Sequence, residues 1–144
     1  MTEIEELYQQ LIMDHGRKPR NFGCLESPDC VEEGYNPLCG DKIKLYLKIH
    51  EDKVEKANFE GCGCAISIAS ASMMTEMLPG LTLEEVKNLF NGFHHLMIDK
   101  EIDELSVNLG KLIALAGVKA FPMRVKCATL AWHTLIAAIQ KEIK

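Results

Sequence analysis

The chain has 144 residues, of which 47% are apolar and 26% charged, and this composition is typical of one globular domain with a sizeable core. Its formal charge of −5 argues against nucleic acids and anionic membranes as partners, since both require a dense field of Lys and Arg. The amphipathic, acidic start is no signal peptide, and no apolar run approaches the roughly 18 residues that a membrane helix needs. We therefore expect residues 1–144 to form a single cytoplasmic domain.

The first third of the chain predicts one helix followed by a long loop. A T-x-x-E capping box at Thr2 begins the helix, apolar residues then recur at helical spacing, and Gly16 ends it. Three of the five prolines fall between residues 17 and 38. That segment therefore predicts an extended loop, with one short strand near Val31 to Glu33.

Two further strands are predicted by alternation of apolar and polar residues. The segment from Lys42 to Ile49 alternates with period two, as a half-buried strand does. His50 to Lys53 is a polar hairpin, and the return strand from Val54 to Phe59 alternates less cleanly. The prediction is a small antiparallel sheet of three strands.

Helices are predicted to dominate the rest of the chain. Small and apolar residues from Ala65 to Leu78 predict a closely packed helix, and a capping box at Thr82 begins another that runs to about Met97, before an acidic linker. A short helix from Leu109 is closed by Gly117, and the last helix starts at Pro122 and extends to Ile143. The order predicts an α+β fold with helices packed on one face of the sheet.

Three cysteines lie beside or near residues that break regular structure. Cys39 is in NPLCGD, Cys64 follows a glycine at a strand-to-helix junction, and Cys127 ends FPMRVKC. We predict that they converge, since six cysteines in a cytoplasmic chain more often indicate metal or redox chemistry than disulfides. With Asp41 they would satisfy a tetrahedral Zn²⁺ or one iron of a small cluster. The carboxylate makes the more labile bond, which suits a site that opens.

The surroundings of the predicted site favour thiolates. Cys64 and Cys127 would both lie at the amino ends of helices, where unpaired N–H groups stabilise a thiolate. Lys42, Arg124 and Lys126 could offset the excess negative charge of three thiolates and a carboxylate. Zinc would keep the thiols deprotonated and shield them from oxidation.

Taken singly, each cysteine is as well explained as a small buried apolar residue. This alternative is weaker for Cys39, Cys64 and Cys127, which all follow residues that break regular structure. It stands for Cys24 and Cys30. Cys62 stays open, because the C-G-C pair lets it compete with Cys64 for a metal or remain an extra thiol. Four histidines on helices or at their ends are expected to be surface or structural residues: His15, His94, His95 and His133.

Four segments carry a resemblance to a known family. They are DHGRKPRNFG from Asp14 to Gly23, NP-x-CGD from Asn36 to Asp41, GCAIS-x-ASAS from Gly63 to Ser72, and FP-x-RVKCATLAW from Phe121 to Trp132. Together they closely resemble the IscU/SufU family of iron–sulfur cluster assembly proteins, also found as the amino-terminal domain of NifU. The resemblance covers essentially the whole chain and implies a SufE/NifU-like fold.

Within this family the chain is most similar to the SufU branch. Lys126 stands where the IscU branch carries a histidine, FPMRV stands in place of an LPPVK chaperone-recognition motif, and the segment from Gly80 to Cys127 is longer. Cys62 departs from the family, whose members usually lack a cysteine there. The resemblance implies four zinc ligands: Cys39, Asp41, Cys64 and Cys127.

The resemblance also implies a function. SufU proteins accept persulfide sulfur from a SufS-type cysteine desulfurase, so the chain would be at most a zinc-dependent sulfurtransferase acting with that enzyme. Docking would exchange a zinc ligand and free Cys39 as the attacking thiolate, which suits a loop bounded by Pro and Gly.

The alternative function is a scaffold. A [2Fe-2S] or [4Fe-4S] cluster would be assembled on the same ligands and passed to apo iron–sulfur proteins or a downstream scaffold. A merely structural zinc would instead predict a chain that melts on chelation.

Overall fold

The structure is a computed structural model that describes residues 2–98 and 109–141. The acidic linker predicted after Met97 and the predicted end of the last helix at Ile143 lie outside the described residues. In chain order the elements are α1 (Glu3–Arg17), β1 (Cys30–Asn36), β2 (Asp41–His50), β3 (Lys53–Cys62), α2 (Ala65–Met77), α3 (Leu83–Ile98), a 3₁₀ helix (Gly110–Ala120) and α4 (Pro122–Gln140).

The three strands form one antiparallel sheet in the order β1-β2-β3. Residues 37–40 connect β1 to β2, and the hairpin between β2 and β3 turns at Glu51 and Asp52, whose φ angles of 50° and 60° are those of a type I′ turn. Ile43, Leu45 and Leu47 are fully buried in the core that the helices share. The predicted α+β class, three-stranded sheet and polar hairpin are confirmed.

A β-bulge explains why the return strand alternates poorly. Lys48 pairs with Lys56, whereas Ile49 pairs with Val54, so Glu55 has no residue opposite it. Two exposed residues therefore follow Val54 before the next buried one. The extra residue shifts the period-two pattern by one position.

The first strand is longer than predicted and includes a glycine. The short strand predicted near Val31 to Glu33 is the middle of β1. A Cβ atom at Gly34 would overlap the hydroxyl group of Thr134 on α4. Glycine therefore lets α4 lie directly on β1, which is a common reason for glycine inside a strand.

The first helix also continues through a glycine. α1 runs to Arg17, one residue beyond the predicted stop at Gly16. A Cβ atom built on Gly16 would lie 3.1 Å from the Cβ atom of Ala65, the first residue of α2. The glycine thus permits close packing between α1 and the start of α2, rather than ending the helix.

The second predicted capping box is confirmed in both of its hydrogen bonds, and the first in its N-cap hydrogen bond. The Glu5 backbone N–H donates to the Thr2 hydroxyl group over 3.1 Å. At the second box, the Glu85 N–H donates to the Thr82 hydroxyl over 3.1 Å, and the Thr82 N–H donates to the Glu85 carboxylate over 2.9 Å. These bonds satisfy N–H groups that a helix start leaves free.

The short helix predicted from Leu109 to Gly117 is a 3₁₀ helix that runs to Ala120. Its large buried apolar residues recur at every third position, which matches three residues per turn: Leu109, Leu112, Leu115 and Val118. Ala114 is buried as well, whereas Ile113 is 40% exposed. The next helix, α4, begins at Pro122 as predicted and buries Trp132 completely. None of the helices in residues 2–98 and 109–141 is long and apolar enough to cross a membrane.

Candidate metal centre

Cys39 lies at the tip of the turn between β1 and β2. Asn36 organises this turn, since its side-chain oxygen accepts from the Leu38 N–H over 3.2 Å and its backbone oxygen accepts from the Gly40 N–H over 2.8 Å. Gly40 has a φ angle of +73°, which favours glycine. The turn leaves Cys39 exposed. Its thiol is therefore accessible to another molecule.

Asp41 is the first residue of β2, and its carboxylate is held against the backbone before α2. Asp41 is fully buried. Its Oδ1 accepts a hydrogen bond from the Cys64 N–H over 2.9 Å. Gly63 has a φ angle of +151°, and a Cβ atom there would overlap the Asp41 carboxylate. The glycine before Cys64 thus makes the space that the carboxylate occupies.

The two helical cysteines occupy different positions in their helices. Cys64 is the N-cap residue of α2, as predicted. Cys127 lies five positions after Pro122, beyond the first turn of α4, so the expected help from a helix amino end does not extend to it. Cys127 is 2% exposed, and burial raises the pKa of its thiol, as do hydrogen bonds with Asp41, Cys39 and Cys64. A coordinated cation would reverse this, since it holds a thiol deprotonated.

Two sulfurs and a carboxylate oxygen meet at one place. The Cys39 and Cys127 sulfurs and a carboxylate oxygen of Asp41 all lie within 4.8 Å of one another. The two sulfurs are 3.4 Å apart, close to the roughly 3.8 Å expected for two thiolates around a tetrahedral zinc ion. Cys64 lies beside this group rather than in it, with its sulfur 4.0 Å from the Asp41 Oδ2. Two thiols and a carboxylate are ligands that zinc accepts, and Cys64 is the adjacent candidate for a fourth.

Cys62 lies on the other side of the sheet from this cluster. It pairs in register with Lys42, and paired residues share a face. Side chains alternate along β2, so Lys42 and Cys62 lie on the face opposite the buried Asp41. The exposed Cys62 is therefore not placed to replace Cys64.

Among the described residues, the other cysteines and the histidines named from the sequence are not part of this cluster. Cys24 is exposed, and Cys30 is buried at the start of β1. His15 is fully buried and structural, whereas His94 and His133 lie in a ring cluster with Phe90, in which centroid distances are 5.5 to 5.9 Å. The three predicted cations, Lys42, Arg124 and Lys126, are exposed, and the Arg124 guanidinium lies 5.3 Å from the centre of the Phe121 ring.

Sequence reasoning missed the residues that position the ligands. Asn36 and Gly63 contribute no metal-binding atom, so a search for ligands passes over them. Each still leaves a signal: an Asn three positions before a turn cysteine, and a glycine immediately before a helix N-cap. Asx turns and positive φ angles are the physical reasons for these residue types.

Comparison with known proteins gives a consistent result. Residues 7–141 match the family described as NifU-like N terminal domain. The chain is 47% identical to the zinc-dependent sulfurtransferase SufU of Bacillus subtilis, over 98% of this chain and 95% of that protein. It is 40% identical to the iron–sulfur cluster assembly scaffold protein IscU of Streptococcus pyogenes, over 98% and 87%. A crystal structure of a proposed SUF-system scaffold protein from Fervidobacterium islandicum superposes with a TM-score of 0.84 at 40% identity, covering 93% of this chain and 97% of that one.

Proposed function

This chain belongs to the NifU-like N-terminal domain family, and on that basis we propose that it is a zinc-dependent acceptor of sulfur from a cysteine desulfurase in iron–sulfur cluster assembly. The observation that carries the proposal is the meeting of two thiols and one carboxylate from the β1–β2 turn, β2 and α4, with the Cys64 thiol beside them. The 47% identity with a zinc-dependent sulfurtransferase supports it. The exposure of Cys39 also supports it, because a sulfur acceptor needs an accessible thiol.

We propose Cys39, Asp41, Cys64 and Cys127 as the zinc ligands. Bound zinc would hold the thiols as thiolates and protect them from oxidation. Zinc has no redox chemistry of its own, and a carboxylate is a weaker partner for it than a thiolate. An exchangeable ligand set of this kind suits a centre that opens when a partner docks.

Cys39 is the proposed nucleophile because it is the accessible member of the closest sulfur pair. Cys39 is exposed at a turn, whereas Cys127 is buried in a helix. The Cys39 sulfur attacks the outer sulfur of the persulfide on the desulfurase. A new S–S bond forms on Cys39, the S–S bond of the donor breaks, and the donor cysteine leaves as a thiolate that takes up a proton. The product is a persulfide on Cys39.

The setting of the reaction follows from the same proposal. The partner is a SufS-type desulfurase, and the sulfur passes on to a downstream scaffold or to apo iron–sulfur proteins. We place the protein in the cytoplasm, where free thiols stay reduced, and the six free cysteines support that placement. We also propose that residues 1–144 act as one domain, which the family match over residues 7–141 supports.

Replacement of single ligands tests this function. Cys39→Ala and Asp41→Ala should abolish stimulation of desulfurase turnover and leave the far-ultraviolet circular dichroism spectrum unchanged. Cys62→Ala is the matched control, because it removes an exposed thiol from the other face of the sheet, and it should stimulate normally. Normal stimulation by both ligand variants would rule the proposal out.

A scaffold for cluster assembly is the second candidate, supported by 40% identity with an IscU scaffold protein. The same three thiols and Asp41 would hold a cluster, with the carboxylate as the exchangeable ligand. Metal analysis and a visible spectrum of protein purified without oxygen separate the two functions. A colourless protein with one zinc ion per chain supports the acceptor, whereas a brown chromophore that transfers to an apo-ferredoxin supports the scaffold.

A further inference from the structure

Two buried polar groups near candidate ligands in strand register or in sequence lack hydrogen-bond partners. Within residues 2–98 and 109–141, the buried side-chain atoms without such a partner are His15 Nε2, Glu32 Oε2, Asn36 Nδ2 and Ser67 Oγ. The first two each lie beside a charged side chain: the Glu76 carboxylate is 3.6 Å from His15 Nε2, and the Lys141 ammonium group contacts Glu32 Oε2. The other two are costly to bury, and an unpaired buried group in a native protein requires an explanation.

Asn36 is held in a fixed orientation next to Asp41. The two residues pair across β1 and β2, so they share a face of the sheet. Asn36 is 7% exposed. Its side-chain oxygen accepts from the Leu38 N–H, which identifies the other atom of the amide as the nitrogen. The unpaired atom beside Asp41 is therefore a donor.

Ser67 lies one helical turn after Cys64 and is fully buried. On the following turn, Ser70 donates to the Ala128 carbonyl over 2.6 Å and accepts from the Trp132 Nε1 over 3.1 Å. This face of α2 therefore packs against α4, the helix that carries Cys127. The Ser67 hydroxyl is therefore a buried, unpaired donor one helical turn after Cys64 and one turn before the contact of Ser70 with α4.

We propose that Asn36 and Ser67 are positioning residues that donate hydrogen bonds to the sulfur ligands when the centre holds a metal ion. The proposal rests on the ligand set given under the proposed function. Three thiolates and a carboxylate around a divalent cation leave an excess negative charge of about two units. Thiolates accept hydrogen bonds much more strongly than thiols, so metal loading would give both donors a partner. Donors of this kind orient metal ligands and tune affinity.

Ser67→Ala tests the proposal, with Ser70→Ala as the matched control one turn away. Zinc affinity is measured by competition with a chromophoric chelator, and ligation by the visible spectrum of the Co²⁺-substituted protein. Ser67→Ala should bind zinc about tenfold more weakly and shift the thiolate-to-cobalt charge-transfer band. The metal-free variant should unfold at the same or a higher temperature, because it has lost an unpaired buried hydroxyl group.

The control separates a role at the centre from a role in packing. Ser70→Ala breaks two hydrogen bonds within the core, so it should lower the unfolding temperature of the metal-free and zinc-loaded forms alike and leave the cobalt spectrum unchanged. Wild-type zinc affinity and an unshifted cobalt spectrum in Ser67→Ala would overturn the role of Ser67.

Asn36→Asp tests the second donor. The new carboxylate keeps an oxygen for the Leu38 N–H and loses the N–H donor. Its added negative charge alone would tighten the binding of a cation. Weaker zinc binding in Asn36→Asp therefore supports the loss of a hydrogen-bond donor. Equal or tighter zinc binding overturns the role of Asn36. Failure of the sulfur-acceptor function would appear differently, as wild-type protein that binds zinc but does not stimulate the desulfurase.

Discussion

At the scale of single residues, the centre depends on the backbone as much as on its ligands. The Asp41 carboxylate occupies space that exists because Gly63 has no side chain, and it accepts from the N–H of Cys64. A carboxylate at the amino end of α2 is also favoured by the helix dipole. Asp41 is thereby fixed before any metal binds.

Gly63→Ala should therefore disturb the centre. The substitution imposes a strained φ angle and a clash with Asp41, so we expect a loss of about 1–3 kcal/mol in stability together with markedly weaker zinc binding. Chemical denaturation measures the first effect and chelator competition the second.

Gly80→Ala is the control for this substitution. Gly80 has a φ angle of +91°, but a Cβ atom added there would have no atom of the described residues within 4 Å. The control should lose stability and keep its zinc affinity. Equal zinc affinity in the two variants would contradict the role of Gly63.

The structure groups three of the four residues named from the sequence, Cys39, Asp41 and Cys127, and places Cys64 beside them. Cys39 was predictable because chain-breaking residues place it in a turn, and Cys64 because it directly precedes a helix. Cys127 lies five positions after Pro122, so its depth in α4 could have been read once the helix start was predicted. The side of the sheet that Cys62 occupies depends on strand register, which is not fixed until the strands pair.

At the scale of elements, the contact between α1 and α2 contains a buried histidine. His15 Nδ1 lies 2.7 Å from the Ser72 hydroxyl oxygen, which also accepts from the Arg20 backbone N–H over 2.8 Å. Burial lowers the pKa of His15 below its usual 6.5, the nearby Arg20 lowers it further, and the Glu76 carboxylate partly offsets this. His15 thus joins α1, the following loop and α2 in its neutral form.

This contact predicts loss of stability in acid. Because the folded pKa is depressed, the unfolded chain binds the proton more readily below about pH 6.5, and stability falls as the pH drops from there towards the folded pKa. Denaturant unfolding across this range measures the loss. His15→Asn keeps a polar atom near Ser72 but does not titrate, so it should lose less stability in acid than the wild type. Part of the pH dependence of stability should remain, because burial also lowers the pKa of His133.

The control is His50→Asn at an exposed position, which should behave as the wild type. An unchanged pH dependence of stability in His15→Asn would refute the role of His15.

Elements that follow their own local pattern were predicted well. The N-cap residues Thr2 and Thr82 and the strand β2 are marked by local signals, and all three were confirmed, although Tyr46 is buried where the alternation predicted a polar face. Gly16 was misjudged because a glycine that ends an element and a glycine that admits a neighbour look alike in sequence. The 3₁₀ helix was missed, although leucines at every third position indicate three residues per turn.

At the scale of the molecule, the core does not depend on the metal. It joins all three strands to the helices, and its largest fully buried side chains include Trp132, Phe59 and Phe93. The Trp132 and Phe93 rings stack with centroids 4.5 Å apart. The α+β class was predictable from the order of elements, since helices and strands with one apolar side pack only in a few layer arrangements.

Chelation should therefore weaken the fold without abolishing it. A ligand present at about a thousand times its dissociation constant contributes about 4 kcal/mol to stability, so removal of zinc should lower the unfolding temperature and leave the secondary structure intact at about 25 °C. Thermal unfolding followed by circular dichroism, with and without a chelator, measures this. A chain that melts at that temperature on chelation would instead have a structural zinc, as short zinc fingers do.

The distribution of the cluster along the chain has a consequence for biosynthesis. Cys39 and Cys127 are separated by 88 positions, and the second of them is on the last helix. A nascent chain whose α4 is still inside the ribosome therefore lacks Cys127 at the candidate centre, whatever the concentration of zinc. The candidate centre therefore forms only after α4 has been made, and a chain truncated before Cys127 would lack one of its candidate ligands.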